Sequence, residues 1–573
     1  MVPVPPLALG REMGLPMRFA LSCAALSSAI LAVVAGPAGA SAGPGCQPKR
    51  VAVAHHPGGA RLAHQPARAP IPCLTTAGTT TDSAPVAVTR KGTVLYAPIA
   101  AIRPGSVPPP GNIALPTGVA RTVNGGARWR TVLPVDDPSD EASQHSGLIP
   151  WLYADRTTGR VWYATPLLSG GVCGAMISYS DDEGLTWRDN DHVGCPGQGG
   201  MSVFEGPAPA GSARPVGYRH VVYYCANLLD GGSHLMHCYR SLNGGKSFAH
   251  VEGFPNSSTP PPSCGTGLDA PRGRGVAPDG TLYMVVDRCD EGLGLAHSRD
   301  EGDTWRQTPL SSTVVANLPI TSLAIDRTGT LYVAWTKADD LRPYLTISRD
   351  HGASWSRPVM VAAPGVDQID PRTLAVAVDR PGHVAIAYSG SSDKGATYNG
   401  YLAESEHARG SRALWWSAPV NDPTHPLSKG PPSVLYGDRE WFSTVAFGVD
   451  GTPWAGFHCV RTDLCPRNRV GMVGRLAPYF GFGGLVRNTE AGTANLRVAV
   501  PSAGRLFLAG PQLKKVSRRI AREGTATLPL RARGRALQTL TAKGILKVKA
   551  RVTFRPVGGS PRVETAHLTL VLR

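Results

Sequence analysis

Along residues 80–480, short apolar runs alternate with polar, glycine-bearing turns, and the runs share one shape. VAPDGTLYMVV turns at Asp279 and Gly280, and AIDRTGTLYVAW turns at Asp326 and Gly329. The shape recurs at TRKGTVLYA (Gly92), ADRTTGRVWYA (Asp155, Gly159), VDRPGHVAIAY (Asp379, Gly382) and VDGTPWAGF (Asp450, Gly451). Runs this short, rich in Val and aromatic residues and punctuated by Asp and Gly, predict β-hairpins. A further run, GYRHVVYYC from Gly217 to Cys225, keeps the β character without that punctuation. Together they predict seven units of about four short strands each, the pattern of a β-propeller.

A second pattern is laid over the first. SDDEGLTW (Ser180 to Trp187), SRDEGDTW (Ser298 to Trp305) and SRDHGASW (Ser348 to Trp355) are near copies, with weaker ones at SLNGGKSF (Ser241 to Phe248) and TVNGGARW (Thr122 to Trp129). Their first residues lie 58, 61, 57 and 50 positions apart, the period of an array of equivalent units. In each, the acid or amide (Asp182, Asn243, Asp300, Asp350, Asn124) can accept backbone N–H groups further along the turn. The glycine two positions on permits positive φ. The closing aromatic can bury roughly 150–250 Å², worth at most about 4–6 kcal/mol. These residues are therefore expected to be structural. The sixth unit has lost the motif, keeping only Trp415 and Trp416 after AESEHARGSRAL, and the seventh lacks it too.

The motif S-x-D-x-G-x-T-W resembles the Asp-box, or BNR repeat, of sialidase-like propellers. The resemblance covers roughly residues 80–480 and implies an all-β propeller of seven blades, or the six usual for sialidases. It also implies that A–B and C–D turns share one face, while B–C loops and blade-to-blade linkers share the other, where ligands bind.

The two ends of the chain differ from this middle. Arg11 and Arg18 precede an apolar run from Phe19 to Ala35 and small-residue cleavage sites, so residues 1–42 read as a signal peptide. The mature chain is expected to be secreted or bound at the cell surface, to have no integral membrane span, and to be monomeric. Residues 43–79 read as a Pro/Gly-rich N-terminal segment, and 80–480 as the propeller. Residues 486–573 hold 18 Lys and Arg against three Glu and no Asp, which carries +15 of the formal net charge of +17. Within them, ILKVKARVTFR alternates apolar and basic positions, the mark of a half-buried antiparallel strand, and a small β-sandwich is expected. Its charge suits an anionic polymer. No aromatic stacking positions are interleaved with these charges, so nucleic acid is not expected as a partner.

Ten cysteines remain after the leader, an even number suited to an oxidising compartment. Placing them on propeller loops brings eight to one face and pairs sequence neighbours: Cys173–Cys195, Cys225–Cys238, Cys264–Cys289 and Cys459–Cys465. Cys46–Cys73 remains by elimination.

Catalytic motifs are scarce. There is no H-E-x-x-H and no G-x-S-x-G, no metal site or cofactor is expected, and Gly245-Lys246-Ser247 lies inside one of the eight-residue copies. The family resemblance implies, for sialidase activity, three arginines, a Tyr–Glu pair and an acid. The first arginine's Arg-Ile-Pro context is replaced here by Ile102-Arg103-Pro104. Arg272, Arg372 and Arg439 each stand just before the innermost strand of a unit, near Asp269, Asp370, Asp438 and Glu440, with Tyr436 before the last. These residues are the candidates for a ligand-binding mouth, because guanidinium forks suit carboxylates. Binding of a glycan or another extracellular anionic polymer, without catalysis, is the expected function. The alternative is an exo-acting glycoside hydrolase of sialidase type.

Overall fold

The computed structural model describes residues 45–46, 50–65, 69–79, 83–100, 117–134, 150–166, 174–194, 198–212, 214–228, 236–254, 273–287, 292–311, 321–432, 442–460, 462–465, 470–477, 480–500, 503–521, 524–556 and 562–573. The proposed leader, Cys173, Cys195, Cys264 and Cys289 lie outside them, as do Asp269, Arg272, Tyr436, Asp438, Arg439 and Glu440.

Seven antiparallel sheets follow one another along the chain up to residue 477. The first is typical, running outward in sequence order through Val86–Val88, Val94–Ala100, Thr117–Thr122 and Arg130–Val132. In each blade the strands are called A to D from the innermost outward. The A strands are Val86–Val88, Trp151–Ala154, Gln198–Gly206, Arg274–Val276, Ser322–Ile325, Ala375–Arg380 and Val445–Phe447, and each touches the next. The last touches the first, so the seven form a closed ring.

The ring closes through a strand from the far end of the chain. In the seventh blade, B is Pro453–Cys459 and C is Val470–Ala477, but D is Ile71–Thr79, paired antiparallel to C from Ile71↔Ala477 to Thr79↔Val470. This corrects the reading of 43–79 as a segment outside the propeller. Its cause is non-local pairing, which no short-range pattern announces. Gly45–Cys46 adds to the same edge, and Cys46 is bonded to Cys73. Val53–His55 likewise adds a strand outside Trp415–Pro419 of the sixth blade. Cys225–Cys238 and Cys459–Cys465 are also bonded.

The eight-residue turns lie between strands C and D, and their hydrogen bonds repeat atom for atom. Ser298 Oγ donates to Asp300 Oδ1 (2.7 Å) and accepts from the Gly302 amide (2.8 Å), while Asp300 Oδ1 accepts from the Thr304 amide (2.9 Å). Ser180 with Asp182, Ser348 with Asp350 and Ser241 with Asn243 do the same. Hydrogen bonds from Ser354 and Ser348 hold the Asp350 carboxyl down to about 2. Two successive residues are left-handed, Glu301 (φ 61°) and Gly302 (φ 97°), and the Asn copies place a second glycine at the first position, as in Gly244 (φ 71°). The closing aromatics pack into the seam with the preceding blade: Trp187 beside Leu95 and Val119, Trp305 beside Phe204 and Tyr223, Trp355 beside Tyr283 and Leu295.

The sixth unit carries a copy that the sequence reading missed. SSDKGATY, from Ser391 to Tyr398, has the same bonds: Ser391 Oγ to Asp393 Oδ1 (2.7 Å), the Gly395 amide to Ser391 Oγ (2.8 Å) and the Thr397 amide to Asp393 Oδ1 (2.9 Å). It joins strands B (His383–Ser391) and C (Thr397–Ser405), and so sits on the face opposite the others. In this blade Trp415, fully buried against Tyr332 and Leu345, fills the seam without a turn of that kind.

Residues 481–571 form two sheets around their own core. One is Gly481–Asn488, Thr493–Val500 and Gly524–Leu530; the other is Val516–Ile520, Gly504–Ala509, Ile545–Pro556 and Arg562–Val571. A helix at Arg535–Lys543, absent from the sequence reading, ends at left-handed Gly544 (φ 69°).

A chain begun at residue 84 would leave the seventh blade with three strands and an exposed edge. It is expected to aggregate. A Cys73→Ser chain begun at residue 69 keeps the closing strand and should elute as a soluble monomer on size-exclusion chromatography.

Candidate functional site

The inner strands enclose a channel of about 340 Å³, lined by apolar side chains such as Val86, Leu152, Val276 and Val376. On the face of the A–B and C–D turns, Arg156 of the second blade reaches Asp379 of the sixth, with Nη1 3.1 Å from Oδ1. That ion pair spans blades far apart in the ring and bridges this end of the channel. On the opposite face, Arg372 lies in a short 3₁₀ turn, Pro371–Thr373, that leads into the sixth A strand. Asp370 is buried and caps that turn, accepting the Arg372 amide at 3.2 Å, so its carboxylate serves the backbone. Arg372 is the one predicted mouth arginine among the described residues.

A Tyr–Glu pair does exist, but on the face of the eight-residue turns. Tyr218, in the A–B connection of the third blade, donates to both oxygens of Glu205 at the end of strand A (3.0 and 2.8 Å). Burial, followed by the Glu205 charge, holds the Tyr218 hydroxyl protonated far above its ordinary range. Glu205 also accepts from Trp162 Nε1 (3.1 Å) and Thr158 Oγ1 (2.5 Å). The neighbouring Arg160 is forked onto Asp181 through two 2.7 Å contacts and stacks on Tyr179 at 3.9 Å. Its guanidinium is therefore already engaged, and among the described residues no convergent set of arginines faces the pair. Sequence offered no signal for this pair, because Glu205 and Tyr218 belong to no recognisable motif.

The sixth blade holds a second buried cluster on the same face. His383 Nε2 lies 2.7 Å from Glu404 Oε1, and Nδ1 lies 3.3 Å from Asp379 Oδ2. Burial works to lower the imidazole pKa, but the bonds to Asp379 and Glu404 outweigh it and raise the value to about 9. For Glu404 burial wins, and its carboxyl sits above the usual range.

The third candidate is the outer face of the basic sheet. Arg505 is the cross-strand partner of both Arg519 and Arg555, so three exposed arginines form one row over three strands about 4.8 Å apart. Arg551, Lys549 and Lys547 continue along the same face of Ile545–Pro556, with His567 opposite Lys549. Phe507 lies among them, with the Arg555 guanidinium 5.0 Å from its ring. Among the described residues no ion pair involves a Lys or Arg of 486–573. Like charges placed directly opposite on a sheet work against folding, so the charge of the row does not stabilise the sheet.

No family model matches the chain, and no curated protein matches it. Among solved structures it is similar to the Aleuria aurantia lectin in complex with Fucα1-6GlcNAc, at 12% identity over 61% of this chain and 99% of that one, TM-score 0.39. It is also similar to the NanB sialidase of Streptococcus pneumoniae, at 12% identity over 73% and 70%, TM-score 0.35. A Hadza microbial sialidase is 16% identical over 60% and 66%, TM-score 0.35.

The raised pKa of His383 gives a pH prediction. Protonation is favoured in the folded state, so the stability it supplies is complete below about pH 6.5 and disappears as pH rises through about 9. Urea midpoints should fall over that window, and His383→Gln should flatten the fall. An unchanged slope in the variant would assign the pH dependence elsewhere.

Proposed function

We propose that the protein is secreted and binds an anionic glycan polymer outside the cell, holding it on the basic sheet of residues 504–571. The observation that carries this reading is the row Arg519–Arg505–Arg555, set beside Arg551, Lys549 and Lys547 on one exposed face. Guanidinium groups match carboxylate, sulfate and phosphate groups through paired donors. A polymer with regularly spaced anions would neutralise several of them at once and release its counterions.

The propeller would supply a second contact at the mouth opposite the Arg156–Asp379 bridge. Arg372 leads into the sixth inner strand on that side. Arg272 and Arg439, with Asp269, Asp438, Glu440 and Tyr436, are the proposed remainder of this site, and Arg439→Ala should weaken glycan binding while scarcely changing the melting temperature. Hydrolysis of the sialidase type is the lesser reading. The one Tyr–Glu pair among the described residues lies on the other face, under an arginine already held by Asp181.

Heparin serves as the probe of the basic sheet. The secreted chain should elute from immobilised heparin well above physiological salt. Arg505→Ala with Arg555→Ala should reduce the salt slope of binding by about two, one for each lost cation. The double variant should keep the wild-type melting temperature, and a fluorogenic sialoside should not be turned over by either form. Unchanged heparin elution would remove the sheet from the function.

A further inference from the structure

Two buried histidine–carboxylate clusters occupy matching places in the ring, each with its histidine at the start of a B strand, and they are built differently. In the sixth blade the groups have closed onto one another, with His383 Nε2 2.7 Å from Glu404. In the third blade they stand apart. His220 Nδ1 lies 3.6 Å from Asp155 Oδ2 and 3.7 Å from Glu205 Oε1, and all three ligand atoms lie within 4.8 Å of one another. His220 is 6% exposed, Asp155 9% and Glu205 4%, and His220 Nδ1 has no hydrogen-bond partner although it points between two carboxylates.

A buried ring nitrogen held beyond hydrogen-bond distance of two buried carboxylates gains only a long ion pair from each, and closing the gap by an ångström would turn these into hydrogen bonds. Burial lowers the imidazole pKa, but the ion pairs outweigh it and raise the value to about 9, so an ion bound here must displace that proton. The surroundings oppose that closure. Asp155 Oδ1 is pinned by the Thr157 and Thr158 amides (2.6 and 2.7 Å), and Glu205 is pinned by Thr158, Tyr218 and Trp162. Three donors bound at about 2.0–2.2 Å to a tetrahedral centre stand roughly 3.3–3.6 Å apart, close to the two separations that His220 makes here.

We propose that Asp155, Glu205 and His220 bind a divalent transition-metal ion of the zinc class. One imidazole nitrogen and two carboxylate oxygens suit zinc better than calcium, which takes six or more oxygens. The neutral donors on Glu205 and the amides on Asp155 are the outer contacts that hold metal-binding carboxylates in place. Asp155 belongs to the A–B turn of the second blade, whereas Glu205 and His220 belong to the third. The ion therefore links two neighbouring blades on the closed side of the ring. The three residues are scattered over separate elements, so no ligand-spacing motif marks the site.

The test uses the full mature chain, purified without affinity metal and dialysed against chelator. Titration with zinc, followed by gel filtration and elemental mass spectrometry, should give about one ion per chain. Calcium should not be retained. Cobalt(II) should bind in its place with the visible absorption of a four-coordinate ion, and zinc should raise the melting temperature of the dialysed protein. His220→Gln should lose retained metal while His383→Gln keeps it. If His220→Gln fails to fold, the wild-type stoichiometry and the cobalt spectrum decide alone. Wild-type protein that retains no zinc and shows no thermal response would overturn the proposal, and so would equal metal retention in a folded His220→Gln variant.

Discussion

The propeller depends on one pairing, that of Ile71–Thr79 with Val470–Ala477. In each of the first six blades strands A to D come from one continuous stretch. A ring made only of such blades would be closed only by the packing of the last blade on the first, as where Thr444 bonds Val86 and Trp454 joins the core of Val86 and Tyr96. Lending the outer strand of the last blade from the first part of the chain adds backbone pairing to that packing. Opening the circle then requires breaking a run of backbone hydrogen bonds together. The Cys46–Cys73 bond sits on the borrowed strand and ties the residues before it to the same edge.

What the sequence reveals follows the range of the interactions. The eight-residue turns are legible because their serine, acid and glycine act within a single turn, and their aromatics mark every seam they fill. The copy at Ser391–Tyr398 obeys the same chemistry, but it lies between strands B and C, away from the spacing that exposes the rest. The closing strand is not legible: IPCLTTAGT resembles other β-rich runs, and its partner lies about 400 residues away. The helix Arg535–Lys543 is hidden by its basic, acid-free flanks, which read as a continuation of the alternating strands. The Asp155–His220 contact depends on blade-to-blade placement, and the Glu205–Tyr218 contact on the path of the connection after strand A; no local pattern encodes either.

The two faces of the ring are chemically unequal. One holds the eight-residue turns, both histidine–carboxylate clusters and the Arg156–Asp379 ion pair across the channel. Its charges stand in acid–base pairs, with both histidines buried and Arg156 partly exposed. The other carries the Ser391–Tyr398 turn and the short turn that holds Arg372. The basic sheet differs from both, since its cations are aligned across strands and make no ion pair among the described residues. Matched charge thus marks the scaffold, and unmatched charge marks the surface proposed to bind.

Hydrogen–deuterium exchange resolved to peptides tests the closure most directly. If the ring is closed as described, amides of residues 71–79 should be as protected as those of 470–477, and both should lose protection together as denaturant is raised. Rapid exchange across 71–79 while 453–459 stays protected would show an open seventh blade and contradict the account.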